Sequence, residues 1–261
     1  MMQIFSDAFK NRIGDLGNCM KISENVIDFS KLSTEKKHEL FQELWEFDLN
    51  IFPSARIEQL YEYLHDPDAV AIPVVQFFHR GKLIGQNIIR ILKLTHHHRP
   101  ILIFNSRAGV LPEYRSYNLT LNSGIKVAMQ QQIRFPAIPM WFVATVTQPK
   151  IYTLFASRSA KFYPRHDVEM PEEYMDILKS MTVRHHDVQQ RTADVYVHSC
   201  DLPKVTPEQL IQLRNKSDAH IQFFMQHVPD YFDGMGMMCI CKLNISMIFE
   251  GSMNIAMGRT V

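Results

Sequence analysis

The chain has 261 residues, of which 46% are hydrophobic and 21% charged, a composition typical of a globular protein that forms its own core. Its formal net charge of +1 gives no reason to expect a nucleic acid or an anionic membrane as partner. Its four cysteines do not suggest a disulfide framework, and no stretch reaches the roughly 18 consecutive apolar residues of a membrane span.

The first part of the chain predicts two helices and a β-hairpin. Residues 1–32 form an N-terminal segment with a possible first strand near residues 26–29. Ser33 and Glu35 suit a helix start, and a second helix is predicted from Ser54 to Leu64. Strands are predicted at 71–78 and 83–94 around a turn in which Gly81 takes a positive φ, and residues 96–100 form a second loop. The first helix buries a stripe of Leu40, Phe41, Leu44, Trp45, Leu49 and Phe52.

A buried strand beginning at Ile101 is the centre of the prediction. It breaks at Gly109 and Pro112, and a helix follows from about Tyr117 to Ile133. A strand that feeds a helix through a tight turn leaves free backbone N–H groups at the helix N-terminus, where phosphate or pyrophosphate binds well. The predicted buried stripe of this helix is Leu121, Ile125, Ala128 or Met129, and Ile133.

The second part of the chain predicts further strands and helices. Residues 140–146 read as an interior strand, Thr147 as a helix cap and Pro149 as the first turn of a helix that ends at residues 163–164. A short helix after Pro171, a strand at 194–199 and a helix from the capping box at 206–209 to Val228 follow. Alternating apolar residues from 237 to 249 predict either two strands bent near 242–244 or one strand with a bulge.

This succession of elements resembles the Gcn5-related N-acetyltransferase (GNAT) family. The motifs that carry the resemblance are Gly-Lys-Leu-Ile-Gly at 81–85, Ala-Gly-Val-Leu-Pro-Glu-Tyr-Arg at 108–115, and Thr-Gln-Pro-Lys-Ile-Tyr at 147–152 followed by Phe-Tyr-Pro at 162–164. The resemblance implies an α/β fold with a GNAT-like mixed, mostly antiparallel central sheet flanked by helices. Residues 33–165 form its acyl-CoA-binding core, and residues 166–261 form a C-terminal α/β extension that completes the sheet and the acceptor pocket.

The resemblance also implies where a cofactor binds. In this family the fourth and fifth strands splay apart, the pantetheine of an acyl-CoA lies between them, and its pyrophosphate lies on a turn of pattern Arg/Gln-x-x-Gly-x-Gly/Ala. Arg115 fits the first position, Asn118 replaces the first glycine and Thr120 replaces the last small residue. The expected cofactor-binding residues are Val110, Leu111, Arg115, Ser116, Tyr117, Asn118, Leu119 and Thr120, with backbone donors near Val110 and Leu111 polarising the thioester carbonyl.

Three residues are candidates for the chemistry that the resemblance implies. Tyr163 and Tyr152 are candidates for the general acid that protonates the leaving CoA thiolate, and Glu113 for a base that acts through water. Partly buried packing aromatics and a solvated glutamate are the simpler interpretations of these residues.

Four other patterns contain residue types found in functional sites but are interpreted as structural. The histidine runs at 96–98 and 185–186 suggest zinc, but adjacent histidines diverge on regular elements, so no metal site is predicted. Cys239 and Cys241 read as buried small hydrophobes, and the methionines at 235–238 as core. His198, Cys200 and Asp201 offer nucleophile and base types, but triads do not assemble from sequence neighbours.

The sequence thus predicts an acyltransferase that moves an acyl group from acetyl-CoA, a longer acyl-CoA or an acyl carrier to a small-molecule amine acceptor. The alternative is a catalytically inactive binding or interaction module that retains the fold. No nucleic acid is expected as partner, and the start of the chain lacks a signal-type segment, so a cytoplasmic location is expected. The acceptor and the oligomeric state are not encoded in any motif.

Overall fold

The computed structural model describes residues 21–185, 187–200 and 207–248. Its strands are β1 (Ile22–Asp28), β2 (Ala69–Ala71), β3 (Pro73–His79), β4 (Lys82–His96), β5 (Arg99–Val110), β6 (Met140–Val146), β7 (Phe162–Tyr163), β8 (Gln189–Gln190), β9 (Tyr196–Ser199) and β10 (Met235–Leu243). Its α-helices are α1 (Thr34–Ile51), α2 (Ile57–Leu64), α3 (Leu119–Arg134), α4 (Pro149–Ala156), α5 (Glu172–Thr182), α6 (Pro207–Arg214) and α7 (Ala219–His227). Short 3-10 turns lie at Phe29–Lys31, Pro112–Tyr117 and Tyr231–Asp233.

All ten strands belong to one sheet. Its main order is β1-β3-β4-β5-β6-β10-β9-β8, while β2 pairs with β4 and β7 pairs with β10. Every pair is antiparallel except β5 with β6, which is parallel. The predicted mixed, mostly antiparallel sheet flanked by helices is confirmed. The boundaries drawn at residues 32 and 165 stay a prediction, since β10 continues the sheet directly beside β6.

Helices cover both faces of this sheet. On the first, here called the α1 face, α1, α2 and α5 pack on residues such as Val74, Ile88, Ile103 and Trp141. On the second, the α3 face, α3, α4 and α7 pack on alternate residues of the same strands, such as Phe104. None of the helices in the described part of the chain is both long and apolar enough to cross a bilayer.

Both predicted N-terminal helices are present, but the buried face of the first and the start of the second differ from the prediction. The Ser33 hydroxyl accepts a hydrogen bond from the Lys36 N–H and caps α1, as predicted. Leu49 is exposed, however, whereas Asp48 is 2% exposed, so the predicted stripe is wrong at this turn. Apolar periodicity cannot reveal a carboxylate that is buried because it has partners. The second helix begins at Ile57 rather than at Ser54.

Tight turns join β3 to β4 and β4 to β5. Gly81 has the expected positive φ, of 77°. His97 and His98 also have positive φ, of 46° and 62°, so the predicted loop at 96–100 is a two-residue turn between long strands. Gly109 does not break β5, which runs to Val110. A Cβ at Gly109 would lie 2.7 Å from a side-chain atom of Ile51, so this glycine lets the end of α1 approach β5.

The helix after β5 buries only part of the predicted stripe: Ala128 is buried, and Ile125 packs against the same core cluster. Met129 and Ile133 are exposed, and Val127 and Ala128 pack on the sheet beside buried polar residues. One of these, Ser123, donates to the Thr120 carbonyl, a contact that apolar periodicity does not show. The helix starts at Leu119 rather than Tyr117 because Asn118 has a left-handed conformation.

The C-terminal part departs from the sequence prediction at two places. The single helix predicted to reach Val228 is two helices, because Asp218 caps the second one by accepting from the Ile221 N–H. β10 is one strand that ends at Leu243, and Asn244 caps the residues that follow by accepting from the Met247 N–H. Thr206 and Phe249, the predicted start and end of these elements, lie outside the described residues. Gln148, rather than Thr147, precedes α4 at the cap position.

Candidate functional site

The two parallel strands at the centre of the sheet separate shortly after they meet. β5 and β6 pair only from Leu102 with Met140 to Phe104 with Phe142. Beyond these residues the Asn105 side-chain amide donates to the Val143 carbonyl at 2.7 Å. In a continued parallel ladder that carbonyl would accept from the Ser106 N–H. We call the diverging segments, residues 105–110 of β5 and 143–146 of β6, the fork, and its closed end the apex.

Backbone groups of β5 point into the fork. Leu111 donates its N–H to the Ile84 carbonyl on β4, and Leu102 donates in the opposite direction, to the Pro139 carbonyl. Because peptide groups alternate along a strand, the N–H groups of Ser106, Ala108 and Val110 point away from β4 and into the fork. Among the described residues these three N–H groups have no hydrogen-bond partner. An extended ligand with amide groups can therefore pair with this edge.

A cavity of about 1590 Å³ passes through the fork and is lined from both faces of the sheet. On the α3 face its wall is mostly apolar, and on the α1 face it is mostly polar. The apolar chamber is lined by Ile125, Ala128, Phe142, Leu154, Phe155 and Phe162. The polar chamber is lined by Asp66, Arg107, Thr145, Arg184, His185 and His198.

The N-terminus of α3 opens into the same cavity. Asn118 has φ 53° and ψ 30°, and within the described part of the chain no side chain caps the helix. Asparagine is the non-glycine residue that adopts this conformation most readily, so it serves where the family pattern has glycine. A helix start with free N–H groups and its positive dipole end favours a bound anion.

The predicted cofactor residues divide into two groups. Leu111, Ser116 and Tyr117 do not line the cavity, and the Leu111 N–H is already engaged by Ile84. The expectation that Leu111 offers a free backbone donor is therefore wrong. The other five predicted residues line the cavity: Val110, Arg115, Asn118, Leu119 and Thr120.

A polar network holds the start of α3 against the sheet. The Asn87 side-chain amide donates to the Thr120 carbonyl at 2.9 Å and to the Ser123 hydroxyl at 3.0 Å. The Ser106 hydroxyl donates to the Asn87 side-chain carbonyl at 2.6 Å. These bonds link β4, β5 and α3, so they fix the helix N-terminus relative to the fork.

The three predicted catalytic residues lie outside the cavity. Tyr152 is fully buried, and its hydroxyl donates to the Pro164 carbonyl at 2.7 Å. Tyr163 packs edge-on against Tyr174, on the α1 face of the sheet. Burial raises the pKa of both phenols. Glu113 is exposed in the 3-10 turn before α3. In this geometry none of the three reaches the fork apex, and the simpler packing and solvent roles fit them better.

Charged side chains organise one wall of the polar chamber. Asp66 accepts from Arg90 at 2.9 Å and from Arg184 at 2.8 Å, and Arg184 also donates to Asp68 at 2.7 Å. Arg90 in turn stacks over the ring of Tyr63, at 4.2 Å. The wall thus has both signs of charge already paired, which holds the side chains in fixed orientations.

Two histidines form the other wall of the polar chamber. The rings of His185 and His198 stack with centroids 4.2 Å apart. Burial, together with the nearby His198 and Arg90, lowers the pKa of His185 to about 4. Burial also lowers the pKa of His198, while the carbonyl of Ser199 and the carboxylate of Asp187 oppose that shift. Both rings are therefore neutral at pH 7.

The tautomer of His198 follows from its partners. Its Nδ1 lies 2.8 Å from the Ser199 carbonyl, which can only accept, so Nδ1 carries the proton. Its Nε2 is then an acceptor, and the Thr145 hydroxyl at the edge of the fork donates to it. Burial raises the pKa of Asp187, but hydrogen bonds from Ser199 outweigh this effect and lower it below its ordinary value.

The patterns set aside in the sequence have these positions. Cys239 and Cys241 are buried in the core, as predicted. Cys200 lies with its sulfur 3.8 Å from His198 Nδ1, while Asp201 is outside the described residues. The rings of His96 and His97 are 4.2 Å apart, because the positive φ of His97 brings adjacent side chains together.

The turn at these histidines brings three possible metal-ligating side chains close together. Ligand atoms of His96, His97 and Asp176 all lie within 4.8 Å of one another. The argument that adjacent histidines must diverge is therefore wrong at this turn. The absence of a metal stays a prediction.

The sequence reasoning missed the polar chamber. Side chains alternate between the two faces of a strand, so Thr145 lies on the same α1 face of β6 as Trp141 and Val143. This alternation was the sequence signal that could have placed Thr145 at the fork. His185 and His198 come from separate segments, and no spacing rule brings them together.

Comparison with known proteins gives matches among solved structures. No protein-family model matches the chain, and no curated protein matches it. Escherichia coli ElaA is 19% identical over 58% of this chain and 94% of its own, with a TM-score of 0.35. An aminoglycoside N-acetyltransferase in complex with CoA is 12% identical over 49% of this chain and 79% of its own, with a TM-score of 0.32.

A third match is a conserved protein of Enterococcus faecalis V583 described as a probable N-acyltransferase. It is 12% identical over 54% of this chain, which spans 33% of that protein, and the TM-score is 0.37. Similarity at this level carries no information about substrate or activity. The element succession, the parallel β5–β6 pair and its fork are features of the chain itself. By these features the chain has a GNAT-like fold.

Proposed function

We propose that this protein is an acyltransferase that moves an acyl group from an acyl-CoA, or an acyl carrier, to an amine. The observation that supports this most strongly is the fork, whose unpaired backbone edge runs from the apex to the free N-terminus of α3. A ligand with an extended amide-bearing arm and a pyrophosphate matches both ends of this path.

The donor would lie along the edge of β5. Its pyrophosphate would bind at Arg115 and the N–H groups of α3, and its pantetheine amides would pair with Val110, Ala108 and Ser106. The path from Val110 to Phe104 covers six residues of strand, or roughly 20 Å at 3.3 Å per residue. The thioester would then lie near the apex, where the Ser106 N–H is placed to polarise its carbonyl.

The two chambers would hold the two substrates. The apolar chamber suits the acyl group of acetyl-CoA or of a longer acyl-CoA, because its wall is built from aromatic and aliphatic side chains. The polar chamber lies on the opposite face and suits the amine acceptor. An acceptor there would meet the thioester through the fork, without displacing the donor.

A binding module that retains the fold is the competing function. Its support in the sequence was the loss of two motif glycines. The first of these losses leaves the backbone conformation in place, since Asn118 has the left-handed backbone that the glycine would supply. The backbone carbonyl of Thr120 accepts a hydrogen bond from the Asn87 side chain, so Thr120 helps to hold the start of α3 against the sheet.

Acyl-CoA binding is the first test. We expect acetyl-CoA and longer acyl-CoAs to raise the melting temperature, because a ligand at 100 times its Kd adds about 2.7 kcal/mol of stability. The measurement is a thermal shift with acetyl, octanoyl and palmitoyl-CoA, with adenosine diphosphate as a control for the phosphates alone. No shift with any acyl-CoA at millimolar concentration would rule out the donor site.

A further inference from the structure

His198 and Thr145 form a hydrogen-bonded pair that the donor site does not use. The Thr145 hydroxyl lies on the α1 face of β6, beside the fork, and donates to His198 Nε2. Both residues line the cavity, and His198 is 7% exposed. A neutral imidazole with its free nitrogen directed at a cavity-lining hydroxyl is the arrangement of a proton acceptor.

We propose that His198 is the general base of the transfer and receives the proton of the acceptor amine through the Thr145 hydroxyl. This inference rests on the proposed function, since it assigns the acceptor half of the same reaction. It also assigns the acceptor side of the sheet: the amine enters through the polar chamber and attacks from the α1 face.

Protons and electrons balance in the proposed transfer of the acyl group to the amine. One N–H proton of the protonated acceptor amine passes to Thr145 Oγ as the Thr145 proton passes to His198 Nε2. The neutral nitrogen then forms a C–N bond with the thioester carbon as the C–S bond breaks and its electron pair leaves with sulfur. A second proton of the former amine passes to the thiolate and the imidazolium releases its proton to solvent, so the products are an amide, a thiol and one proton, and His198 is again neutral.

The surroundings of His198 suit this role. His185 stacks on one side of the ring, and its own low pKa keeps it from adding a charge there. Among the residues that the structure describes, Asp187 is the acidic group that acts on the ring, and it supports the transient imidazolium. Arg90 and Arg184, which act on His185, are paired with Asp66, and the Cys200 sulfur lies 3.8 Å from Nδ1.

Nδ1 fixes the orientation of the ring. Nδ1 donates its proton to the Ser199 carbonyl at 2.8 Å, so Nε2 is the nitrogen that accepts and later releases the transferred proton. Asp187 is in turn held by the N–H of Ser199 at 2.9 Å. These residues position the base and are not themselves expected to touch the substrate.

The test compares an alkyl amine with hydroxylamine as acceptors of the acetyl group of acetyl-CoA. Putrescine must lose a proton to react, whereas hydroxylamine is largely unprotonated at neutral pH and needs no base. We expect His198→Gln to lower kcat/KM for putrescine by roughly 10²- to 10⁴-fold. Transfer to hydroxylamine and the thermal shift by acetyl-CoA should change little. His38→Gln, an exposed histidine on α1, is the matched control.

The pH profile and the Thr145 variants separate a chemical role from a structural one. In the wild type, kcat/KM for putrescine should fall as pH drops through the pKa of His198, below 6.5, because the base becomes protonated. This acid limb should disappear in His198→Gln. Thr145→Ser should retain activity and Thr145→Val should lose it.

Two outcomes overturn the assignment and are distinguishable. An unchanged acid limb in His198→Gln, or equal losses with both acceptors, would show that His198 is not the base while transfer itself stands. Failure of the wild type to acetylate either amine would overturn the proposed function, and the base assignment with it. Thermal stabilisation by acetyl-CoA would then show whether the donor site alone survives.

Discussion

Asp48→Ala is expected to lower the free energy of unfolding by about 3–5 kcal/mol. Asp48 is buried on α1, where it accepts from Arg107 Nε at 2.9 Å and from the Gln86 side-chain amide at 3.3 Å. The substitution would leave a guanidinium at the fork without its carboxylate and would open a gap beneath α1. The measurement is denaturant unfolding of both proteins under the same conditions.

Two further variants serve as comparisons for Asp48→Ala. Glu24→Ala removes an exposed partner of Lys126, and a surface pair of this kind contributes only about 0–1 kcal/mol. The double variant Asp48→Ala with Arg107→Met removes both charges, so it should recover part of the loss. A cost of Asp48→Ala no larger than that of Glu24→Ala would mean that the ion pair does not hold α1 to β5.

Gly124→Leu is expected to weaken acyl-CoA binding while the protein remains folded. Gly124 lies on α3 and lines the cavity, and a Cβ there would point toward Asn87 and Phe104, at 3.9 and 4.0 Å. A leucine side chain would extend into the space proposed for the donor. Overpacking of this kind costs about 1–3 kcal/mol, which corresponds to roughly a 5- to 150-fold increase in Kd. Isothermal titration with acetyl-CoA measures it.

Gly124→Ala is the matched control for this effect. Its contacts would be ordinary, and alanine favours a helix interior over glycine by about 0.8–1.0 kcal/mol. We therefore expect Gly124→Ala to be more stable than the wild type and to bind acetyl-CoA nearly as well. If leucine and alanine at this position left Kd equally unchanged, the donor would not pass beneath Gly124.

Local sequence signals predicted the elements that hold the sheet together. The β-rich run of β6 matches the strand residue for residue, and the helical spacing of α5 identified its buried residues Tyr174, Ile177, Leu178 and Met181. These predictions succeed because a strand or a helix that buries one face must repeat apolar residues at its own period. The resemblance added that the fourth and fifth strands splay apart, which periodicity alone does not contain.

The parts of the site that the sequence did not predict depend on contacts between distant segments. At the apex of the fork the Asn105 side-chain amide donates to the carbonyl of Val143 on β6, 38 positions away. His198 is a base candidate only because it meets Thr145, 53 positions away, inside a cavity. Conversely, Tyr152 looked available by motif position but has its hydroxyl engaged by Pro164. Hydrogen bonds between segments decide these roles, and residue spacing does not record them.

Amide hydrogen exchange along β5, with and without acetyl-CoA, measures whether the donor pairs with the edge of the fork. In the free protein, amides that donate to β4, at Arg107, Gly109 and Leu111, should exchange slowly, and those of Ser106, Ala108 and Val110 should exchange quickly. Acetyl-CoA should slow the second set and leave the first unchanged, because the pantetheine would pair with the fork edge. Exchange at Ser106, Ala108 and Val110 that is unaffected by saturating acetyl-CoA would show that the donor does not pair with this edge of β5.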